Sequence, residues 1–209
     1  MIETLKPMDI ERRSFEIISE ILESEGIVLA TENEAVIKRV IHTTADFEYV
    51  KNLVFSKDAV KLGIEALKSG CDIVTDTQMA RSGINKTALS KLGGEVHCFM
   101  SDEDVAAEAK ARGITRAAVS MEKAAKLEKP LIFAIGNAPT ALITLDELIK
   151  VGKLAPKLVI GVPVGFVNVV ESKELIIASG AAHIVARGRK GGSNVAAAIV
   201  NALLYQIAR

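Results

Sequence analysis

A single three-layer α/β domain with a mainly parallel sheet of about five strands is the fold class that this sequence predicts. Three observations carry it. Short runs rich in Val, Ile and Leu recur along the 209 residues, each bounded by Gly, Pro or polar residues. Helix-period stretches fill most of the gaps between them, as crossovers of a parallel sheet require. Hydrophobic residues make up 49% and charged residues 25%, the balance of a folded globule.

The elements follow in order. Asp9–Glu25 reads as a helix, with Phe15, Ile18, Ile21 and Leu22 at helical spacing and Gly26 as its stop. A second helix runs from about Asn33, the expected N-cap, to Asp46. A third covers Lys57–Lys68 and closes at Gly70. Strands are expected at Asp72–Thr75, Val96–Met100, Leu131–Ile135, Leu158–Val162 and His183–Ala186. Between them lie helical stretches at Lys86–Lys91, Ser101–Leu127, Thr140–Lys150 and Glu171–Ile177. Ser101–Leu127 needs two helices: Ser101 caps the first, Gly113 stops it, and Thr115 caps the second, leaving Arg116 at that helix's N-terminal edge. Asn194–Ile207 closes the series, with Val195, Ala198, Ile199, Ala202 and Leu203 on one face. No linker, repeat or low-complexity tract interrupts residues 1–209, so one domain is expected.

Charge and composition exclude several functions. Twenty-six Lys and Arg balance 26 Asp and Glu, so nothing electrostatic favours nucleic acid or a membrane surface. No apolar run approaches the roughly 20 residues of a membrane helix. Met1–Asp9 lacks the apolar centre of a signal peptide, and Cys71 and Cys98 make no disulfide framework. A reducing, cytoplasmic setting follows. Metal-ligand spacing is absent, as are G-x-G-x-x-G, the P-loop order and the serine elbow G-x-S-x-G.

Three glycine turns follow expected strands: Gly136–Thr140, Gly161–Phe166 and Gly188–Asn194. Free N–H groups at such strand–helix junctions suit anions. Any one of them is more simply a tight turn. Together, with Arg187, Arg189 and Lys190 around the last, they point to a large anionic ligand. Among the histidines, His97 and His183 lie in strands and read as structural. His42 shares a helical face with Arg39 and Asp46, where it could titrate and move a proton, although a solvated polar face is the commoner meaning of that pattern.

Several segments together resemble the precorrin-8X / cobalt-precorrin-8 methylmutases of cobalamin biosynthesis over nearly the whole chain. They are Glu11-Arg12-Arg13-Ser14-Phe15, Arg39-Val40-Ile41-His42, Gly136-Asn137-Ala138-Pro139-Thr140-Ala141, Pro163-Val164-Gly165-Phe166-Val167 with Glu171-Ser172-Lys173, and Gly188-Arg189-Lys190-Gly191-Gly192-Ser193. The resemblance implies a Rossmann-like homodimer with its site close to the subunit interface. It implies an isomerase that moves a methyl group from C-11 to C-12 of a corrinoid ring, without cofactor or external methyl donor. His42 would be the proton donor and acceptor, and Ser14, Arg39 and Arg116 would contact the substrate. Metal-free and cobalt-loaded substrates both stay open. Gly83-Ile84-Asn85-Lys86, which departs from some members at Asn85 and Lys86, looks closer to the cobalt branch. Two other readings compete: a non-catalytic tetrapyrrole-binding protein, and a nucleotide-dependent Rossmann enzyme. The latter predicts a glycine fingerprint that is missing here.

Overall fold

The apolar runs become the centre of a six-stranded sheet, and the computed structural model describes residues 6–208. Most of the Met1–Asp9 segment therefore lies outside the described residues. Helices α1 (Pro7–Ser24), α2 (Thr31–Thr44) and α3 (Tyr49–Asn52) precede strand β1 (Leu53–Phe55). Helix α4 (Ala59–Lys68) leads to β2 (Asp72–Thr75), and α5 (Gln78–Gly83) and α6 (Lys86–Lys91) lead to β3 (Val96–His97). A 3₁₀ turn at Phe99–Ser101, α7 (Glu103–Arg112) and α8 (Arg116–Ala124) lead to β4 (Leu131–Ile135). Then come α9 (Pro139–Lys150), β5 (Leu158–Gly161), α10 (Val169–Ala178), β6 (His183–Ala186) and α11 (Ser193–Leu204).

The spatial order is β1-β6-β5-β4-β2-β3. Strands β2 to β6 are mutually parallel, and β1 runs antiparallel against β6. Counted alone, the parallel strands stand second-first-third-fourth-fifth. This is a doubly wound order whose switch point lies between β2 and β4. Alternate residues of each strand enter opposite layers. Ile73, Ile132, Ile160 and Ile184 join α2, α4 and α11 on one face. Val74, Phe133, Val159 and Val185 join α8, α9 and α10 on the other. Helix α1 packs outside α2 and adds Ile18 and Leu22 to the first layer.

Several expectations need correction. The sheet has six strands, not five. Leu53-Val54-Phe55 is too short to stand out as a strand in the sequence, and it is set by pairing with β6. Val96–Met100 is strand only at Val96–His97, because β3 is an edge with β2 as its sole neighbour, and Phe99–Ser101 turns into 3₁₀ geometry. Helix α2 starts at Thr31 behind Ala30, so Asn33 is not its cap. Ser101 caps nothing either; Asp102 stands at that position and gives its carboxylate to Lys123 at 2.7 Å. The Thr115 cap is present, accepting from the Ala118 N–H. Helix α11 is buried on more than the one face expected: Ala196, Ala197, Val200 and Leu204 are buried too. Gly83 permits its close approach to α5, since a β-carbon there would sit 2.9 Å from the Ala197 Cβ.

Candidate active site

The parallel strands end along one edge of the sheet, and the three glycine turns meet there. Asp76 follows β2 and is 1% exposed. Its carboxylate accepts from the N–H groups of Gly136 (2.8 Å), Asn137 (2.8 Å) and Ala138 (2.6 Å) across the switch point. Burial pushes the Asp76 carboxyl pKa up, and these N–H groups oppose that rise. The first turn is thus no open anion cradle, because the chain's own carboxylate fills it. The sequence signal was faint: one acid at the end of an apolar strand.

The other two turns bond to each other. Gly192 N–H donates to Val162 O (2.8 Å) and Gly165 N–H to Arg189 O (3.2 Å). A β-carbon at Gly191 would lie 2.0 Å from Val162 O, so only glycine lets the two loops touch. Lys173 on α10 is fully buried and donates to the carbonyls of Gly188 (2.7 Å) and Lys190 (2.8 Å). Burial pushes its ammonium pKa down to about 8. The carbonyls of Val162, Gly188, Arg189 and Lys190 are therefore committed to the fold, whereas among the N–H groups of residues 188–192 only that of Gly192 has a partner among the described residues. Arg187 is paired with Glu174, and Lys190 with Asp46 (2.6 Å) and Glu48 (3.0 Å). Arg189 has no carboxylate partner among the described residues; its guanidinium lies 5.9 Å from the centre of the Phe166 ring.

Helix α2 ends beside the same loops. Ala45 closes it in the left-handed conformation, so Asp46 leaves the helical face expected of it and turns to Lys190. The expected Arg39–His42–Asp46 face is thus reduced to Arg39 and His42. The His42 ring stacks on Phe15 of α1 at 5.2 Å. Arg39 lies over the same Phe15 ring at 4.7 Å and over Tyr205 at 5.2 Å, and it pairs with Glu11. Ser14 lies next to Phe15 on α1, its hydroxyl donating to Ile10 O at 2.9 Å. Arg39 and His42 therefore share the α1–α2 seam, and Ser14 lies on α1 with its hydroxyl turned to its own helix.

Arg116 stands apart on α8. The Thr115 hydroxyl donates to that of Thr140 at 2.9 Å, which ties the start of α8 to the turn after β4. Arg116 is exposed, and a cation at a helix N-terminus opposes the dipole. The structural readings of the other histidines agree with their contacts. His97 Nε2 is 3.0 Å from Asp72 Oδ2, and His183 Nδ1 is 2.9 Å from Ala181 O. Both ring nitrogens of His42 are without a hydrogen bond among the described residues. Asn85 spends its side chain accepting from the Ala88 N–H at the start of α6.

A family model described as precorrin-8X methylmutase matches residues 9–206. A cobalt-precorrin-8 methylmutase of Salmonella typhimurium is 48% identical, covering 97% of this chain and 96% of the relative. One from Priestia megaterium is 47% identical, covering 96% and 88%. A crystal structure of a precorrin-8X methylmutase from Thermus thermophilus superposes with a TM-score of 0.85 at 36% identity, over 94% of this chain and 96% of that one.

The buried ammonium of Lys173 generates a prediction. Lys173→Met strands two buried carbonyls and is expected to destabilise the fold by about 1–3 kcal/mol. The folded-state pKa, about 8, lies below the ordinary 10.5, so between those values the unfolded chain holds more protons. Wild-type stability should therefore gain on that of the variant as pH rises through this window. Denaturant melts from pH 7 upward check the sign, and a gap that stays flat would contradict it.

Proposed function

The chain belongs to the precorrin-8X methylmutase family, and from that premise we propose that it moves the C-11 methyl group of cobalt-precorrin-8 to C-12, yielding cobyrinic acid. It is an isomerase of corrin-ring biosynthesis. The names of the two bacterial relatives support the cobalt-loaded substrate. The observation that carries the mechanism is His42, whose ring is held flat on Phe15 while both nitrogens stay unengaged among the described residues. A methyl shift around a conjugated ring is eased when a ring nitrogen is protonated. His42 delivers that proton and retrieves it after migration, so none is gained or lost overall. Arg39 and Arg116 pair with peripheral carboxylates of the substrate, and Ser14 offers a hydroxyl from α1. Holding one conformer of the ring contributes the rest.

A nucleotide-dependent enzyme fits less well, because Asp76 occupies the switch-point position that a phosphate would take. A non-catalytic tetrapyrrole binder is separated from the methylmutase by turnover. We read residues 1–209 as one domain, working in the cytoplasm, where the free thiols of Cys71 and Cys98 stay reduced. We also propose a homodimer joined near α1. Ile10 and Ile17, seven residues apart on that helix, are 53% and 39% exposed. Light scattering at micromolar concentration is expected to give twice the chain mass; a monomer would refute the dimer.

His42→Ala and His42→Asn should each lower methyl-shift turnover by about 10²–10⁴-fold, the usual share of a positioned acid–base group. Their melting temperatures should stay near wild type. An Asn variant that isomerises at the wild-type rate would eliminate the proton role. Arg39→Ala and Arg116→Ala should each weaken cobyrinic acid binding by about 1–3 kcal/mol, with the loss smaller at high salt. Arg39 also holds α1 through Glu11, so melts must accompany the titrations. Unchanged affinity in both variants would make these arginines mere surface charges.

A further inference from the structure

We propose that the loop between β5 and α10, with Phe166 near its tip, is the platform on which one apolar face of the corrinoid ring rests. Arg189 beside it takes a peripheral carboxylate of the same ring. The proposal rests on the methylmutase reading and adds to it a place for the macrocycle.

Phe166 is 83% exposed, Val167 78% and Val164 48%, side by side at the carboxyl edge of the sheet. Met79, in the first turn of α5 after β2, is 71% exposed. The chain has six Phe, two Tyr and no Trp, so an aromatic ring left in water is a scarce residue set aside. The loop that carries it is anchored at both ends. Gly165 bonds to Arg189 O, Gly191 presses on Val162 O, and Asn168 turns into α10 at φ 57°. An apolar surface this well held is prepared before a ligand arrives.

The charge pattern chooses the occupant. Arg187 and Lys190 are each paired with carboxylates, whereas Arg189 lies over the Phe166 ring without one among the described residues. An apolar face with an unpaired guanidinium at its margin complements a flat ring whose rim carries ionised acetates and propionates. Phe, Met and Arg also suit an interface between copies of the chain, so the oligomeric state of the Phe166→Ala variant is part of the test.

Titration of the purified protein with cobyrinic acid, followed by absorbance, tests this. Phe166→Ala should raise the dissociation constant about 10–100-fold, as loss of a stacking platform does. Phe166→Trp should bind close to wild type, because it restores a flat ring. Arg189→Gln should weaken binding about tenfold. Val151→Ala, 65% exposed past the far end of α9, should bind as wild type does. If wild type and Phe166→Ala bind equally, the platform is wrong and the methylmutase reading stands. If wild type binds no cobyrinic acid, that reading falls and takes the platform with it. If Phe166→Ala turns a dimeric protein into a monomer, the loop is a subunit interface and the proposal is overturned.

Discussion

The carboxylate of Asp76 holds the carboxyl edge of the sheet together. It sits where the first and third parallel strands diverge, and it binds three successive N–H groups at the entry to α9. A buried negative charge is tolerable there because those groups and the helix dipole face it. The position of the next turn follows. Gly136 comes so close to α11 that a β-carbon would lie 2.7 Å from the Ser193 Cα, and the hydroxyls of Thr77 and Ser193 meet at 2.7 Å. Helix α11 is thereby placed against the sheet. Helix α2 packs on α11, and α2 carries Arg39 and His42. A contact at the centre of the sheet thus bears on the seam that holds Arg39 and His42.

The same contact divides labour along the edge. In a nucleotide enzyme the main chain of such turns grips phosphate. Here Asp76 fills the N–H groups at the switch point, and Lys173 and the neighbouring loop take up carbonyls of the last turn. The proposed recognition residues stand on separate elements: Arg116 on α8, Arg189 after β6, Arg39 on α2. Widely separated cations suit a broad substrate whose charges are spread around a rim. They suit a compact diphosphate poorly.

Much of this was legible from residue patterns. The strands β2, β4, β5 and β6 announce themselves as Val- and Ile-rich runs, because burial on both faces leaves no polar alternation to blur them. Strand β1 was hidden, since Leu53-Val54-Phe55 is strand by virtue of pairing with Ile184-Val185-Ala186, far along the sequence. The pairing of Asp46 was misread for a related reason: helical spacing assumes that the helix continues, and Ala45 ends it. Ser14, Arg39 and His42 were singled out through family resemblance; Arg39 and His42 both lie against Phe15 of α1, the helix that also carries Ser14. Lys173 entered only as part of a segment that carries the family resemblance, and its carbonyl partners come from another loop. Partnerships made by tertiary approach are what local patterns do not encode.

The two margins of the sheet have a consequence for assembly. One is β1, three residues long and reversed; the other is β3, two residues long and followed at once by a 3₁₀ turn. Neither offers a row of unpaired amides long enough to template another chain. The β-ladder therefore ends within each molecule, and subunits have no continuous sheet through which to join. Association is left to helices and loops, the same parts that carry Ser14, His42 and Phe166. On the proposed reading, a contact between copies and a contact with the ring draw on neighbouring surfaces, so residues selected for one constrain those available for the other.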